Sequence, residues 1–258
     1  NQERLPIFWN GIKDFLMDSG FWILFADWGN AILNVIRSAE NSETEAWLWA
    51  DLGWLSMEKR DFPIAQERFQ RARNIFHRLS HHYGECALER YLGVVAYRMG
   101  NFQEASTQYE KAANLALGHN FQGMIAEITN LRGSLARKNG NLTEARRLYQ
   151  ESIQAFKSLN DSWRLTGVLR NLAQLEFQAG NLVDSRNAFR EAIELCQQIG
   201  RKDMLYGCYL RLAELELKLG NLKDAIALTS SARTGFKELG LPHYVDEANQ
   251  FLADLRQD

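Results

Sequence analysis

The stretch GNLTEARRLYQESI, residues 140–153, decides the fold because its pattern returns along the chain at a fixed interval. Related stretches begin at Gly100, Gly180 and Gly220, each a multiple of forty residues from Gly140. Glycine can adopt the left-handed backbone conformation that ends a helix, and asparagine is a preferred N-cap of the next helix. The pair Gly-Asn therefore predicts that one helix ends and another begins once in every forty residues.

The second helix of each repeat carries a small residue, an aromatic residue four positions later and another small residue three positions after that. The sets are Ala65, Phe69, Ala72; Ala105, Tyr109, Ala112; Ala145, Tyr149, Ser152; and Ser185, Phe189, Ala192. These spacings place the three positions on one helix face, where small side chains let a neighbouring helix approach. No alternating strand pattern competes with this one, so the predicted fold class is all-α.

A single helix pair exposes its apolar face, and stacking on the next pair buries it. The sequence therefore predicts an α-solenoid of about six antiparallel helix pairs followed by a C-terminal capping helix. The predicted pairs are 5–18 with 21–38, 43–59 with 62–79, 83–99 with 102–118, 121–139 with 142–158, 162–179 with 182–199 and 203–219 with 222–239, and the last helix is 243–256. We expect one domain over residues 1–258, with an atypical first repeat (1–40), five regular repeats (41–240) and a cap (241–258).

The repeat also resembles the tetratricopeptide repeat (TPR) family over essentially the whole chain. The matching signature positions are Trp49, Leu52, Gly53, Ala65, Phe69 and Ala72. The resemblance implies a right-handed superhelix that binds proteins. The forty-residue interval exceeds the usual TPR length of about 34 residues. Repeats of this longer length are similar to those in the sensor arrays of bacterial signalling ATPases of the NB-ARC or STAND type. That similarity implies an upstream NTPase module, so we expect the sequence to be a fragment of a longer protein.

Composition excludes several classes of partner. The net charge of −2 gives no reason to expect nucleic acid or an anionic membrane as a partner. The longest apolar run is far shorter than the roughly 20 residues that cross a bilayer, and no signal peptide is present, so the cytoplasm is the predicted location. The three cysteines, Cys86, Cys196 and Cys208, form no CxxC motif and are interpreted as small buried residues of a reducing compartment.

Motifs for catalysis are missing from the sequence. It contains no phosphate-binding loop, HExxH motif, nucleophile elbow or EF-hand loop, so we predict a non-catalytic protein without a cofactor. His77, His81, His82 and Cys86 are side chains of the type that bind zinc. The alternative is a polar loop between repeats with a packed cysteine, and it is favoured because no second half of a zinc module follows.

Six of the seven tryptophans lie in the first 54 residues. One interpretation, which we favour, is the bulky core of an atypical terminal repeat. The other is a docking face for an upstream domain or for another copy of the chain. The second interpretation gives an alternative function, self-association through the tryptophan-rich end, and leaves the oligomeric state open.

The TPR resemblance implies that the first helices of the pairs line a concave groove. We name the nine predicted ligand-binding residues the recognition row: Trp54, Arg90, Tyr97, Asn130, Ser134, Arg137, Arg170, Asn171 and Gln174. Arginine binds carboxylates and amide side chains pair with peptide groups, so a protein or peptide partner is predicted, with acidic groups at Arg90 and Arg170. In the alternative, these side chains are solvated or paired with neighbours such as Glu89 and Glu127.

Overall fold

The computed structural model describes residues 7–9, 11–13, 16, 21–36 and 42–255, and every regular element within these residues is an α-helix. The helices are α1 (Trp22–Ile36), α2 (Glu43–Glu58), α3 (Phe62–Arg78), α4 (His82–Arg98), α5 (Phe102–Gly118), α6 (Gln122–Lys138), α7 (Leu142–Ser158), α8 (Ser162–Gln178), α9 (Leu182–Ile199), α10 (Lys202–Lys218), α11 (Leu222–Glu238) and α12 (Pro242–Asp254). The predicted all-α class is confirmed. The predicted helix 5–18 lies partly outside the described residues, and its described residues are helical.

The chain forms two compact units, of which the first includes Phe21–Leu135 and the second includes Ala136–Asp258. In the first unit α2 packs against α3 and α4 packs against α5, while α3 also contacts α4. In the second unit α8 packs against α9, α10 packs against α11, and α12 covers α11. The consecutive stacking of helix pairs expected for an α-solenoid is therefore present. The organisation of residues 1–258 as one domain stays a prediction.

Glycines end the first helix of four pairs in the predicted conformation. Gly100, Gly140, Gly180 and Gly220 have φ angles of +83°, +80°, +83° and +82°. A positive φ of this size is strained for residues with a Cβ atom. Arg60 takes the same conformation, with φ of 61°, at the equivalent position of the first regular repeat. The repeat therefore requires a left-handed residue at this turn whether or not it is glycine, and glycine adopts that conformation without strain at the later positions.

The predicted asparagine N-caps form at only one of four Gly-Asn turns. The Asn141 side chain accepts a hydrogen bond from the Glu144 amide, as predicted. The prediction is wrong for Asn101, Asn181 and Asn221, whose side chains make no capping hydrogen bond. At two of these turns a different partner explains the difference, because the asparagine side chain donates instead to a glutamate five residues earlier.

That glutamate is the centre of a polar network in the second unit. Glu176 on α8 accepts two hydrogen bonds from Arg146 on α7, at 2.6 and 2.7 Å, and one from Asn181 at 2.7 Å. The hydrogen bond from Arg146 outweighs the opposite effect of burial and holds the pKa of the Glu176 carboxyl below its ordinary value. The next repeat repeats the arrangement with Arg186, Glu216 and Asn221. The network joins the second helix of one repeat to the first helix and turn of the next.

Aromatic rings of the second helices fill spaces left by glycines on the first helices. Tyr109 on α5 is almost completely buried, and a Cβ atom built on Gly93 of α4 would lie 2.5 Å from its ring. Phe69 and Gly53 form the equivalent contact between α3 and α2, at 2.7 Å. Real Cβ atoms do not approach carbon this closely, so the two helices reach this separation only with glycine at the contact.

We predict that Gly93→Ala lowers the free energy of unfolding by about 1–3 kcal/mol, because the added methyl group overlaps the Tyr109 ring in a close-packed core. Urea unfolding followed by circular dichroism measures the change. Gly123→Ala is the matched control, since Gly123 also lies in a helix and a Cβ there meets no atom within 4 Å. Equal stability of the two variants would contradict the packing argument.

Candidate functional site

The recognition row is divided between the two units. Trp54, Arg90, Tyr97, Asn130 and Ser134 lie in the first unit, on α2, α4 and α6, while Arg137, Arg170, Asn171 and Gln174 lie in the second, on α6 and α8. All nine side chains are half-buried. First helices contact each other within each unit, α2 with α4 and α8 with α10, so each unit has a face formed by first helices. One groove through all nine residues stays a prediction.

Arg90 on α4 is already neutralised by the protein itself. Its guanidinium forms an ion pair with Glu127 on α6, with Nη1 and Oε1 2.7 Å apart, and only 11% of its side chain is exposed. The guanidinium also lies over the Tyr91 ring, 4.1 Å from the ring centre. Burial alone lowers the pKa of Arg90, but the Glu127 carboxylate outweighs it and raises the pKa above its ordinary value. The pairing with Glu127 considered as an alternative is therefore present, and a ligand carboxylate would have to displace Glu127.

Arg170 on α8 has no such partner. Within the residues that the structure describes, no carboxylate lies within ion-pair distance of its guanidinium, and its buried Nε atom makes no hydrogen bond. On α10, a Cβ atom built on Gly207 would lie 3.9 Å from Nη1 of Arg170. Arg170 is therefore a half-buried cation beside a position that has no side chain.

The repeat explains why the partner is missing. Arg170 and Gly207 stand two forty-residue repeats after Arg90 and Glu127, on the equivalent helices. The position that supplies a carboxylate to Arg90 therefore supplies only a hydrogen atom to Arg170. The sequence pattern points to Arg170 but not to Gly207, because the pairing of positions 37 residues apart becomes visible only once the Arg90–Glu127 contact is known.

The other members of the recognition row contribute polar and aromatic groups. Arg137 donates a long hydrogen bond to Gln178, with Nη1 and Oε1 3.4 Å apart, and its Nε atom is buried without a partner. Gln174 lies one turn beyond Arg170 on α8. In the first unit Ser134 donates to the Asn130 carbonyl oxygen at 3.3 Å. Tyr97 and Trp54 are half-buried and pack against the core of that unit.

The candidate zinc ligands are used in other ways. His77 and His82 each contact the Glu85 carboxylate through Nδ1, at 2.7 and 3.1 Å, and His81 Nδ1 accepts the Gly84 amide as the N-cap of α4. Cys86 donates its thiol to the Ala112 carbonyl oxygen, 3.3 Å away. Among the described residues, no group of three or more histidine, cysteine or acidic side chains has a geometry that would hold a metal ion.

The tetratricopeptide repeat family model matches residues 44–117 and 124–198, which together make up more than half of the chain. The chain belongs to the tetratricopeptide repeat family. No curated protein matches the sequence significantly. Among the described residues, no helix of this TPR protein is long and apolar enough to cross a membrane.

Solved structures share the TPR fold at low sequence identity. The Rap conjugation gene regulator of the plasmid pLS20, in complex with the Phr* peptide, is 15% identical with a TM-score of 0.74, and the match covers 95% of this chain and 73% of that one. NprR in complex with its cognate peptide NprX is 13% identical with a TM-score of 0.73, covering 98% and 73%. A STAND protein with a tetratricopeptide repeat sensor from Pyrococcus horikoshii is 14% identical with a TM-score of 0.67, covering 92% of this chain and 36% of that one.

We predict that Gly207→Glu raises the free energy of unfolding by about 1–2 kcal/mol. Roughly half of the gain comes from replacing a glycine inside a helix, and the rest comes from a new ion pair with Arg170. Gly207→Gln is the matched control, because it replaces the glycine without adding a charge and should retain only the helical part. Chemical denaturation of both variants measures the difference, and equal gains would show that Arg170 accepts no carboxylate from this position.

Proposed function

We propose that this TPR chain is a non-catalytic module that binds a peptide or protein segment along the face formed by its first helices. The fold supports a binding role, because a stack of helix pairs presents a long surface without needing catalytic groups. Two of the similar structures, those of Rap and NprR, contain a bound peptide. The similarity to a STAND sensor supports the further proposal that the module is the sensing or scaffold region of a bacterial signal-transduction protein with an upstream NTPase domain.

The observation that carries the proposal is the unpaired guanidinium of Arg170. A half-buried cation without a counter-ion is poorly solvated and gains from a carboxylate more than an exposed arginine does. Arg90 shows what the fold does with an arginine at this position when an acid is available, since it forms a close ion pair with Glu127. The partner is therefore a segment with an acidic group, either an aspartate or glutamate side chain or a C-terminal carboxylate, that takes the place corresponding to Glu127.

The residues around Arg170 suit an extended segment. The planar guanidinium donates two parallel hydrogen bonds to a carboxylate. Gln174 offers an amide that can donate to a peptide carbonyl and accept from a peptide N–H, and Asn171 lies beside Arg170 on α8. Near the C-terminal end of this helix the Lys218 ammonium lies 4.8 Å from the centre of the Phe177 ring. In this proposal Arg170 of the second unit selects an acidic group, and the neutral side chains beside it bind the peptide amides.

The test begins with peptides selected on the chain from a random display library. We predict that selected peptides carry an acidic residue, and that replacing this residue by its amide weakens binding about 10- to 100-fold, equivalent to about 1.4–2.8 kcal/mol. Arg170→Ala and Gly207→Glu should produce the same loss, because one removes the guanidinium and the other occupies it with an internal carboxylate. Fluorescence anisotropy with a labelled peptide measures the affinities.

Two controls separate the acidic anchor from binding in general. Gly207→Gln fills the same space without a charge, and Arg147→Ala removes an exposed arginine on α7 that pairs with Glu144 and Glu151; both should leave selectivity for acidic peptides in place. Peptides that bind equally well to Gly207→Glu and Gly207→Gln would remove Arg170 as the anchor but keep the module. Failure to select any peptide would remove the peptide-binding proposal itself.

Self-association is a second candidate function, and exposed apolar residues at the N-terminal end favour it. Ile23 and Trp28 on α1 are 74% and 37% exposed, and Phe8 lies against Trp28 with ring centres 5.7 Å apart. The opposite side of α1 holds Phe25 in the core. Apolar groups on two sides of one helix are typical of a helix that packs against a further surface. The exposed Trp28 agrees with a docking face, whereas Trp9 is buried and donates to Asp51, as expected for the core of a terminal repeat. The side chain of Trp22 lies outside the described residues.

For self-association we predict a molecular mass that rises with concentration in sedimentation equilibrium. The substitutions Ile23→Lys and Leu24→Lys together should keep the chain monomeric, because lysine opposes burial of this surface. The control is Val183→Lys, which adds a charge at a residue of α9 that is equally exposed, 73% against 74% for Ile23. A monomeric mass for the unmodified chain at all concentrations would exclude this function.

A further inference from the structure

Arg137, near the end of α6, is a second half-buried arginine of the second unit. Its guanidinium donates to a neutral group, the Gln178 side chain, with Nη1 and Oε1 3.4 Å apart. Its Nε atom is buried and makes no hydrogen bond, and the same holds for Nε of Arg170. Among the described residues, no carboxylate lies within ion-pair distance of either guanidinium. The second unit therefore contains two cations that the chain does not compensate.

The neighbouring helices have no acid left for these two arginines. The helices α6, α8 and α10 carry five acidic residues, and these pair with five other arginines: Glu127 with Arg90, Glu176 with Arg146, Asp203 with Arg201, Glu214 with Arg211 and Glu216 with Arg186. Of the three half-buried arginines on these helices, Arg211 has acidic partners, whereas Arg137 and Arg170 have none among the described residues. Poorly solvated charges cost free energy, and a ligand with two carboxylates would recover it at both places.

Two contacts locate the guanidiniums relative to α8. Arg137 reaches α8 from α6 and contacts Gln178, the last residue of α8. Arg170 belongs to α8, and its Nη1 lies beside Gly207 on the other neighbouring first helix, α10. Residues 170 and 178 are eight positions apart, which corresponds to about 12 Å along the helix axis. The two cations are therefore separated by about 12 Å along α8 and, in addition, across it.

The residue between them favours an extended ligand. Gln174 lies one helix turn from both Arg170 and Gln178, and its side chain is half-buried. Its amide can donate to a carbonyl oxygen and accept from an N–H group. An extended segment offers free peptide groups along its whole length, whereas a helix uses most of them internally. The order of cation, amide and cation along this surface thus matches an extended chain with acidic side chains on either side of a free peptide group.

We propose, on the basis of the peptide binding proposed above, that the second unit binds an extended segment with two acidic residues four or six positions apart, one paired with Arg170 and the other with Arg137. An extended chain rises about 3.3 Å per residue, so four and six positions span about 13 and 20 Å. Even separations also place both side chains on the same side of the segment. Two positions span only about 7 Å, and a helical segment needs seven or eight positions to cover about 12 Å on one face.

Peptide display libraries with fixed acids test this spacing on the folded chain. Each library carries two aspartates separated by two, four, six or seven positions, with the remaining positions randomised without acidic residues. A further library carries a single aspartate. We expect the libraries with separations of four or six to give the strongest enrichment, because only these match both guanidiniums in an extended conformation. Sequencing of the bound fraction measures the enrichment.

The outcomes of the selection separate this ligand class from peptide binding in general. Strongest enrichment at a separation of seven would overturn the extended conformation, since seven positions fit one face of a helix. Equal enrichment with one aspartate and with two would overturn the second anchor and leave the proposed function standing. No binders from any library would remove the proposed function, and the spacing with it.

Variants of the chain then assign one arginine to each aspartate of an enriched peptide. Changing either aspartate to asparagine should weaken binding about 10- to 100-fold, because each change removes one ion pair. In Arg137→Gln one of these two changes should lose its effect, and in Gly207→Glu, which occupies Arg170 internally, the other should lose its effect. Arg137→Met, which keeps an apolar stem without the charge, gives the same measurement if Arg137→Gln unfolds. Fluorescence anisotropy measures the affinities.

Arg132→Gln is the matched control, because it makes the same substitution at an exposed arginine of the same helix, α6. Both aspartate changes should keep their full effect in this variant. If both also keep their full effect in Arg137→Gln and Arg137→Met, Arg137 is not an anchor and the proposal of a segment with two acidic contacts is wrong.

Discussion

Three helix pairs of the described structure depend on close packing between an aromatic ring and a glycine. Tyr109 occupies the space at Gly93, and Phe69 occupies the space at Gly53. In the last pair the roles are exchanged, with Tyr206 on α10 lying against Gly235 on α11, where a Cβ atom would come within 2.2 Å of the ring. These contacts fix the axial position of each helix against its neighbour. The polar residues on the first helices then fall at equivalent places in successive repeats, so the register that builds the core also aligns these side chains.

Equivalent positions carry different charges, and the difference separates structural arginines from available ones. The Arg146–Glu176 and Arg186–Glu216 pairs are closed by an asparagine and leave little charge for a partner. In the Arg90–Glu127 pair the carboxylate comes from the next first helix, so the charge of Arg90 is also already paired within the chain. Removing one member of a buried pair is costly, since the remaining charge is left without compensation. At Arg170 the fold tolerates that situation, which is understandable where a ligand supplies the second charge.

Helix boundaries could be predicted from the sequence to within two residues because glycine and asparagine recur at the turns and encode the boundary locally. The asparagine caps could be predicted less well, because a cap is a competition between nearby partners. The residue five positions before Asn141 is Ala136, and Asn141 caps its helix. The residue five positions before Asn181 is Glu176, and Asn181 binds that carboxylate instead. This signal was present in the sequence at two of the turns, as the glutamates five residues before Asn181 and Asn221.

The recognition row could be predicted only in part, for a different reason. A single helix predicts which side chains share a face, and this placed Arg90 and Arg170 at equivalent positions. Whether either arginine is available depends on a residue of the next first helix, and the contact between those helices is tertiary. Glu127 could be named in advance as a candidate partner of Arg90, because an acidic side chain can pair with a guanidinium. An absent side chain at Gly207 carries no signal until the contact is known.

Two consecutive small residues, Gly207 and Cys208, stand in the part of α10 that lies beside Arg170. Gly207 leaves the space in front of Arg170, and Cys208 is smaller than the residues at four of the five equivalent positions, Leu48, Leu88, Ile128 and Val168. Larger side chains at both positions would hold α10 by contact on two sides; glycine and cysteine hold it more weakly. In the proposed function, a carboxylate bound to Arg170 would add a contact at this part of the helix. A bound partner would therefore act on the packing of α10 through an ion pair, at the place where small residues hold the helix least.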